Sequence, residues 1–239
     1  MYFADVARDF AGAKLDFVGS ADLPFAFPHC HLTPQQRELL DSVPDPVWRE
    51  TVKDYVRNTA FRSDIFVRGA RRISPERQRQ WLERIGIALT VVRQYASLEL
   101  IGSKAAPEEV YGPVLDALAE GSRTLAELAA LPAVQNGGKA VTEIAALLIA
   151  SGQAAPFFSS CRNADCAPAH RMNRAVAQHC PTDSKFSVLA SPLLGSVVFV
   201  RQVPRLVYRL LSAGIDAERV EDIIAQVWQM ILDEGHKIE

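Results

Sequence analysis

The sequence predicts an α+β protein that is mostly helical, with a helical module followed by a winged-helix-like segment and a C-terminal α+β segment. Three observations support this fold class. The 239-residue chain has 49% hydrophobic and 23% charged residues, a globular composition that excludes disordered and fibrous classes. Cap residues precede several apolar patterns of helical period. Short alternating runs that favour strands lie between them.

The first residues combine one helix and one strand. Residues 3–13 predict a helix, because Val6 and Phe10 lie four apart and Asp5 falls in the first turn. Residues 15–19 alternate and end in glycine, which favours a short strand. Because one strand cannot form a sheet, this stretch is predicted to be the edge of a larger structure.

Two later helices begin with recognisable caps. Thr33 is a predicted N-cap, with Pro34 at the first helical position and Gln36 completing a capping box. Ser74 and Pro75 repeat the cap and the first-position proline. These signals predict helices that start at residues 34 and 75.

An arginine-rich stretch covers residues 57–93, which hold nine arginines and three acidic residues. One interpretation is a surface for an anion or an acidic partner, because arginine suits bidentate contacts. The other is that the arginine stems are buried and the guanidinium groups pair with acids of neighbouring helices. We favour internal pairing, since runs of charge are usually solvated or paired within the chain.

Residues 107–160 predict three short helices followed by a strand, the element order of a winged helix. The helices are expected at 108–120, at 125–129 after a Thr124 cap, and at 141–150, and the strand at 154–158. The third helix has Lys139 as its one basic residue, and Glu143 is expected to be exposed one turn later. A helix that reads a DNA groove needs several basic or amide side chains, so no nucleic-acid partner is predicted.

The C-terminal segment alternates helices and short strands. A helix is expected at 167–180, strands at 186–190 and 197–200, and helices at 203–213 and at 217–235 after an Asp216 cap. The last helix has an apolar stripe, for which core packing is favoured over a subunit seam. The stripe consists of Val220, Ile223, Ile224, Val227, Trp228, Ile231 and Leu232.

The motifs of several enzyme classes do not occur in the chain. There is no glycine-rich nucleotide loop, no G-x-S-x-G elbow and no H-E-x-x-H pair, so no catalytic or cofactor-binding residue is predicted. Four residues separate Cys161 from Cys166, the outer limit for a zinc pair, and no second close pair accompanies them. No metal site is therefore predicted. The metal-capable residues are His29, Cys30, His31, Cys161, Cys166, His170, His179 and Cys180.

Charge and cysteine content indicate a compartment. The formal net charge is −2, whereas proteins dedicated to nucleic acids or membrane surfaces are usually strongly basic. No apolar run approaches the roughly 20 residues that span a bilayer, and no basic leader precedes an apolar stretch. Four cysteines are few for this length. The sequence therefore predicts a cytoplasmic protein with no membrane partner.

Several stretches resemble one known family, the predicted methyltransferase regulatory domain. This domain lies C-terminal to class I S-adenosylmethionine-dependent methyltransferase domains of bacteria, protein-lysine methyltransferases among them. The central R-N-x-x-F-R motif comprises Arg57, Asn58, Phe61 and Arg62. The other stretches that resemble the family are residues 2–7, 15–22, 32–40, 150–157 and 189–196.

The resemblance implies that cofactor binding and regulation belong to different domains. The cofactor glycines would lie upstream, so S-adenosylmethionine would bind an associated catalytic domain and not this chain. That domain is the implied partner, in cis or in trans, with a homodimer as a further arrangement. Arg57, Asn58, Phe61 and Arg62 are the predicted interaction residues.

The same resemblance suggests a division of the chain into four parts. Residues 1–24 would be the helix-and-strand edge of the catalytic domain, and 25–106 an arginine-rich helical regulatory module. Residues 107–160 and 161–239 would be the winged-helix-like and C-terminal segments. The resulting hypothesis is a non-catalytic module that shapes substrate access or dimerisation. The alternatives are a winged-helix DNA-binding transcriptional regulator and a stand-alone methyltransferase.

Overall fold

The computed structural model describes residues 2–97, 99, 106–179 and 187–233. It confirms an α+β fold that is 57% helical, with small antiparallel sheets. The chain forms two compact units, Met1–Pro156 and Phe157–Glu239, which are described separately below.

The first unit begins with three helices and a two-stranded ribbon, and the first helix packs on the ribbon. Its elements are α1 (Phe3–Gly12), β1 (Leu15–Ser20), α2 (Pro34–Asp41), α3 (Pro46–Arg57) and β2 (Asp64–Arg68). The strands are antiparallel, with Phe17 opposite Phe66 and a bulge between Phe17 and Gly19. Helix α1 contacts both α3 and β1. The partner of the first strand thus lies in this chain, in the arginine-rich stretch, where no strand was predicted.

Aromatic rings fill the space between α1 and the ribbon. Phe3 is 4% exposed, and its ring lies edge-on to Phe17 with centroids 4.9 Å apart. Phe10 meets Phe66 in the same geometry at 4.6 Å. Each edge-to-face pair contributes about 0.5–1.5 kcal/mol beyond the area it buries. A two-stranded ribbon is only marginally stable by itself, so this small aromatic core stabilises it.

The predicted caps are confirmed by the hydrogen bonds at the helix starts. The Thr33 hydroxyl accepts from the Gln36 amide at 3.3 Å, and the Gln36 side chain accepts from the Thr33 amide at 2.9 Å. The Ser74 hydroxyl accepts from the Arg77 amide at 3.2 Å, at the start of α4 (Pro75–Arg84). Each cap satisfies amide groups that the first helical turn leaves without partners.

The main core of the first unit lies among its later elements. These are β3 (Ile85–Leu89), α5 (Glu108–Glu120), β4 (Arg123–Thr124), α6 (Leu125–Ala129), α7 (Pro132–Asn136), α8 (Val141–Ala150) and β5 (Ala154–Phe158). Ile87, Val114, Leu115, Ile144 and Leu148 are fully buried. Burying a side chain of this size contributes about 1.5–3 kcal/mol, so β3, α5 and α8 carry much of the stability of this unit.

The helices and the strand predicted within residues 107–160 have the predicted bounds. Strand β5 belongs to a sheet of the order β4-β3-β5. The central strand of this sheet, β3, precedes residues 107–160. Strand β3 pairs with β4 in antiparallel register, Gly86 opposite Thr124. The winged-helix interpretation and the four-part division of the chain stay predictions.

The second unit contains α9 (Ala167–His179), β6 (Val188–Ser191), β7 (Ser196–Phe199), α10 (Gln202–Ser212) and α11 (Val220–Asp233). Strands β6 and β7 form an antiparallel hairpin. The Asn173 side chain joins α9 to β6, because it donates to the Ala190 carbonyl at 2.9 Å and accepts from the Ala190 amide at 2.7 Å. Cys180 and Phe186, which the predictions included, lie outside the described residues.

Two expectations for the last helix were wrong. It begins at Val220 and not directly after Asp216, because the Asp216 carboxylate accepts from the Glu218 amide in a turn that precedes the helix. Core packing accounts for only part of the stripe: Ile223 and Val227 are buried. The stripe residues that stay exposed are Val220, Ile224, Trp228 and Leu232.

Candidate interaction surface

The four predicted interaction residues lie at the end of α3 and in the extended segment that leads to β2. Asn58 caps α3 in the left-handed conformation, with φ 53° and ψ 48°, which asparagine tolerates better than most residues. The Thr59 amide donates to the Asp54 carbonyl at 2.9 Å. This cap ends the helix and directs the chain toward Phe61.

The Arg62 side chain is only 16% exposed and pairs within its own unit. Its guanidinium donates to Asp64, Asp54 and Glu50 at 2.8 Å each, and it lies 4.3 Å from the centroid of the Phe3 ring. Burial alone would lower the pKa of Arg62, but the three carboxylates raise it above its usual value. Burial also raises the pKa of Asp54 against the effect of Arg62. Arg62 therefore joins α3 to β2.

Arg57 also contacts its own unit. Its guanidinium lies over the Phe25 ring, 3.8 Å from the centroid, a cation–π geometry. Burial lowers its pKa, with Asp22 and Asp54 opposing that effect. The internal pairing with acids that the sequence favoured is thus observed for Arg62, whereas the contact of Arg57 is with an aromatic ring.

Phe61 has the opposite environment, since it is 93% exposed. Three further aromatic side chains near it are also exposed: Tyr2, Phe10 and Tyr55. Tyr2 and Tyr55 stack with centroids 5.7 Å apart. We call Tyr2, Phe10, Tyr55, Asn58 and Phe61 the aromatic surface.

Two adjoining cavities lie along the aromatic surface. One, of about 250 Å³, has Tyr2, Tyr55 and Asn58 in its lining, and the other, of about 350 Å³, has Phe10 and Phe61. Both are also lined by Phe3, Asp54 and Thr59. Exposed aromatic side chains beside such cavities are typical of interaction sites. Sequence reasoning found Asn58 and Phe61 and missed Tyr2, Phe10 and Tyr55, which become neighbours only when α1 packs on α3.

A second group of functional side chains lies elsewhere in the first unit. The Glu143 carboxylate accepts from His29 Nε2 at 3.0 Å and from Lys139 Nζ at 2.9 Å, and Cys30 Sγ lies 3.9 Å from the same oxygen. Glu143 is 5% exposed, so its predicted exposure was wrong. Burial would raise its pKa, but hydrogen bonds from Lys139 and His29 lower it. Within the described ranges, His29, Cys30 and Glu143 are the group of three metal-capable residues whose ligand atoms all lie within 4.8 Å.

The pairing of Lys139 with Glu143 bears on the DNA-binding alternative. Lys139, which the prediction assigned to the third helix, lies two residues before α8 and already donates to Glu143. No helix in the described part of the chain has the length and apolar character to cross a bilayer.

Comparison with known proteins finds a family match for the first 68 residues. Residues 1–68 match the family model described as the predicted methyltransferase regulatory domain, a span that runs from α1 to the last residue of β2. The uncharacterised protein sll1526 of Synechocystis is 32% identical over 246 residues, which cover 99% of this chain and 47% of that protein.

Two solved structures have a similar fold. PKMT2 from Rickettsia typhi aligns over 100% of this chain and 52% of its own, with 14% identity and a TM-score of 0.52. The same protein in complex with AdoHcy aligns over 96% and 49%, with 16% identity and a TM-score of 0.52. The chain spans about half the length of these relatives. The family match is thus confined to residues 1–68, which contain the predicted methyltransferase regulatory domain.

Proposed function

We propose that this chain is a non-catalytic regulatory module that docks through its aromatic surface on an S-adenosylmethionine-dependent methyltransferase domain. Docking would shape substrate access or dimerisation of that domain. The observation that carries the proposal is the 93% exposure of Phe61 beside a half-buried Arg62, within the residues that match the family model.

The hydrogen bonds of Arg62 beside Phe61 support a docking role. Arg62 holds the chain directly after Phe61 through three charge-assisted hydrogen bonds of 2.8 Å. A backbone segment that is ordered before binding loses less entropy when the partner arrives. Aromatic residues also dominate the energetic centres of protein interfaces. Phe61 and Tyr55 therefore have the exposure and chemistry of interface anchors.

The ribbon supplies a second apolar region that a partner would cover. Its inner face packs against α1, whereas Val18, Ile65 and Val67 are 50%, 45% and 41% exposed. Relatives about twice as long as this chain provide room for a further domain. We propose that residues 1–24 border that domain.

We propose that S-adenosylmethionine binds the partner and not this chain. The chain has no glycine-rich loop for a nucleotide, and the AdoHcy complex of PKMT2 concerns a protein of which this chain matches about half. Calorimetry with S-adenosylhomocysteine would test this. Heat is expected for the catalytic domain, and heat of binding to this chain alone would refute the assignment.

The docking test uses the methyltransferase domain encoded with this chain, in the same reading frame or a neighbouring gene. Calorimetric titration is expected to show binding that F61S weakens about 30-fold, the loss typical of an interface anchor of about 2 kcal/mol. The matched control is F199S, because Phe199 is 71% exposed in the second unit. Equal affinity of F61S and F199S, or no binding of the unmodified chain, would overturn the proposal.

The F61S variant also serves to test the oligomeric state of the chain. Sedimentation would show whether the chain dimerises, and loss of the dimer in F61S would assign the aromatic surface to self-association instead. We propose a cytoplasmic location, as the few cysteines favour.

A further inference from the structure

The group formed by His29, Cys30 and Glu143 is separate from the aromatic surface, and no step of the proposed docking uses it. His29 and Cys30 lie on a short 3-10 helix, Pro28–Cys30, and Glu143 lies in the first turn of α8. Folding brings Cys30 and Glu143 together across 113 residues of chain. An imidazole nitrogen, a thiol sulfur and a carboxylate oxygen are the three ligand types that zinc takes in proteins.

The distances fit a tetrahedral ion. Ligands at zinc's usual bond lengths of about 2.0–2.3 Å lie about 3.3–3.8 Å from one another. Here the Glu143 oxygen is 3.0 Å from His29 Nε2 and 3.9 Å from Cys30 Sγ. Both Glu143 distances thus lie within a few tenths of an ångström of zinc geometry. The ligand atoms of His29 and Cys30, which lie within 4.8 Å of each other, would have to approach by about 1 Å at most to complete three corners of a zinc site.

The surroundings combine a buried ligand with a route for entry. Glu143 is 5% exposed and Cys30 is half-buried, whereas 40% of the His29 side chain faces solvent. The core cluster that contains the fully buried Tyr111 of α5 closes the inner side, because Cys30 packs against this cluster. A water molecule from the open side would supply the fourth ligand.

Lys139 occupies part of this arrangement, because its ammonium donates to the same Glu143 oxygen that an ion would bind. The lysine side chain is 31% exposed, so it can move into solvent. We propose that His29, Cys30 and Glu143 bind one zinc ion, and that Lys139 competes with the ion for Glu143. Binding would release the thiol proton of Cys30 to solvent and clamp the residues that match the family model onto α8.

Cobalt titration provides the test. Chain treated with chelator and kept reduced is titrated with Co²⁺, and one equivalent is expected to produce the near-ultraviolet thiolate-to-cobalt band, which zinc then removes. C30S should lose this band and C161S should keep it, because Cys161 is a free, half-buried cysteine outside the group. K139Q should bind Co²⁺ about tenfold more tightly, about 1.4 kcal/mol.

Zinc should also raise the Tm of the unmodified chain and of C161S but not that of C30S. Circular dichroism would establish that each variant is folded. A band that is missing from the unmodified chain, or that persists in C30S, would overturn the zinc site. Unchanged affinity in K139Q would overturn the competition by Lys139.

Discussion

Replacing Arg62 with methionine should destabilise the first unit by about 3 kcal/mol at pH 7. The substitution keeps most of the apolar stem but removes the cation from Glu50, Asp54 and Asp64, whose side chains are only 18%, 22% and 11% exposed. Removing one partner of a fully buried pair costs about 3–5 kcal/mol, whereas exposed pairs contribute at most about 1 kcal/mol. The 16% exposure of Arg62 places it near the lower end of the buried range.

Urea unfolding followed by circular dichroism would measure this loss. The matched control is R93M, because Arg93 pairs with Asp116 through side chains that are 39% and 65% exposed, and it should cost less than about 1 kcal/mol. R62K should recover little, since one ammonium cannot reproduce a guanidinium that contacts three carboxylates.

A second substitution separates lost attraction from uncompensated repulsion. In the R62M background, D54N removes one of three facing carboxylates and should restore part of the stability, although D54N alone should lower it. If R62M and R93M had equal free energies of unfolding, the Arg62 network would make no special contribution and this reasoning would fail.

Backbone packing and a buried side chain yield two further predictions, both measured by urea unfolding. G137A should lower the free energy of unfolding by about 1–3 kcal/mol, because the added Cβ would lie 2.4 Å from Val110 Cγ2. The matched control is G12A in α1, where an added Cβ would have no atom within 4 Å. G12A should raise the free energy of unfolding by about 0.5–1 kcal/mol. N173A should cost about 2 kcal/mol and speed hydrogen exchange at the Ala190 amide, because the amide and the carbonyl of half-buried Ala190 both lose a partner. A neutral G137A, or an unchanged exchange rate in N173A, would contradict these contacts.

Local signals in the sequence were sufficient for many element boundaries. Thr33, Ser74 and Thr124 satisfy amides within three residues of themselves, so their role can be recognised without any knowledge of the fold. Strand β2 offered no such signal, because Asp64–Arg68 is short and lies among arginines. Its identity depends on pairing with β1 across more than forty residues, which a local pattern does not contain.

The burial of Glu143 could not be predicted from the local sequence pattern. Seven of the ten residues of α8 are buried, so no face of the helix remains to keep a carboxylate in water. Burying an ion requires partners, and those partners are Lys139, one turn earlier, and His29, from a distant segment. The sequence contained both residues but not their proximity to Glu143.

The contrast between Phe61 and Arg62 follows from alternation in the extended segment that leads into β2. Successive side chains of an extended chain point to opposite sides, and the exposure pattern alternates from Phe61 through Val67. Arg62 therefore turns inward with Asp64, while Phe61 turns outward. A motif that predicted both as interaction residues thus contains one anchor of the fold and one candidate anchor of the interface. It follows that F61S can remove docking without unfolding, whereas any loss of docking in R62M would first have to be corrected for lost stability.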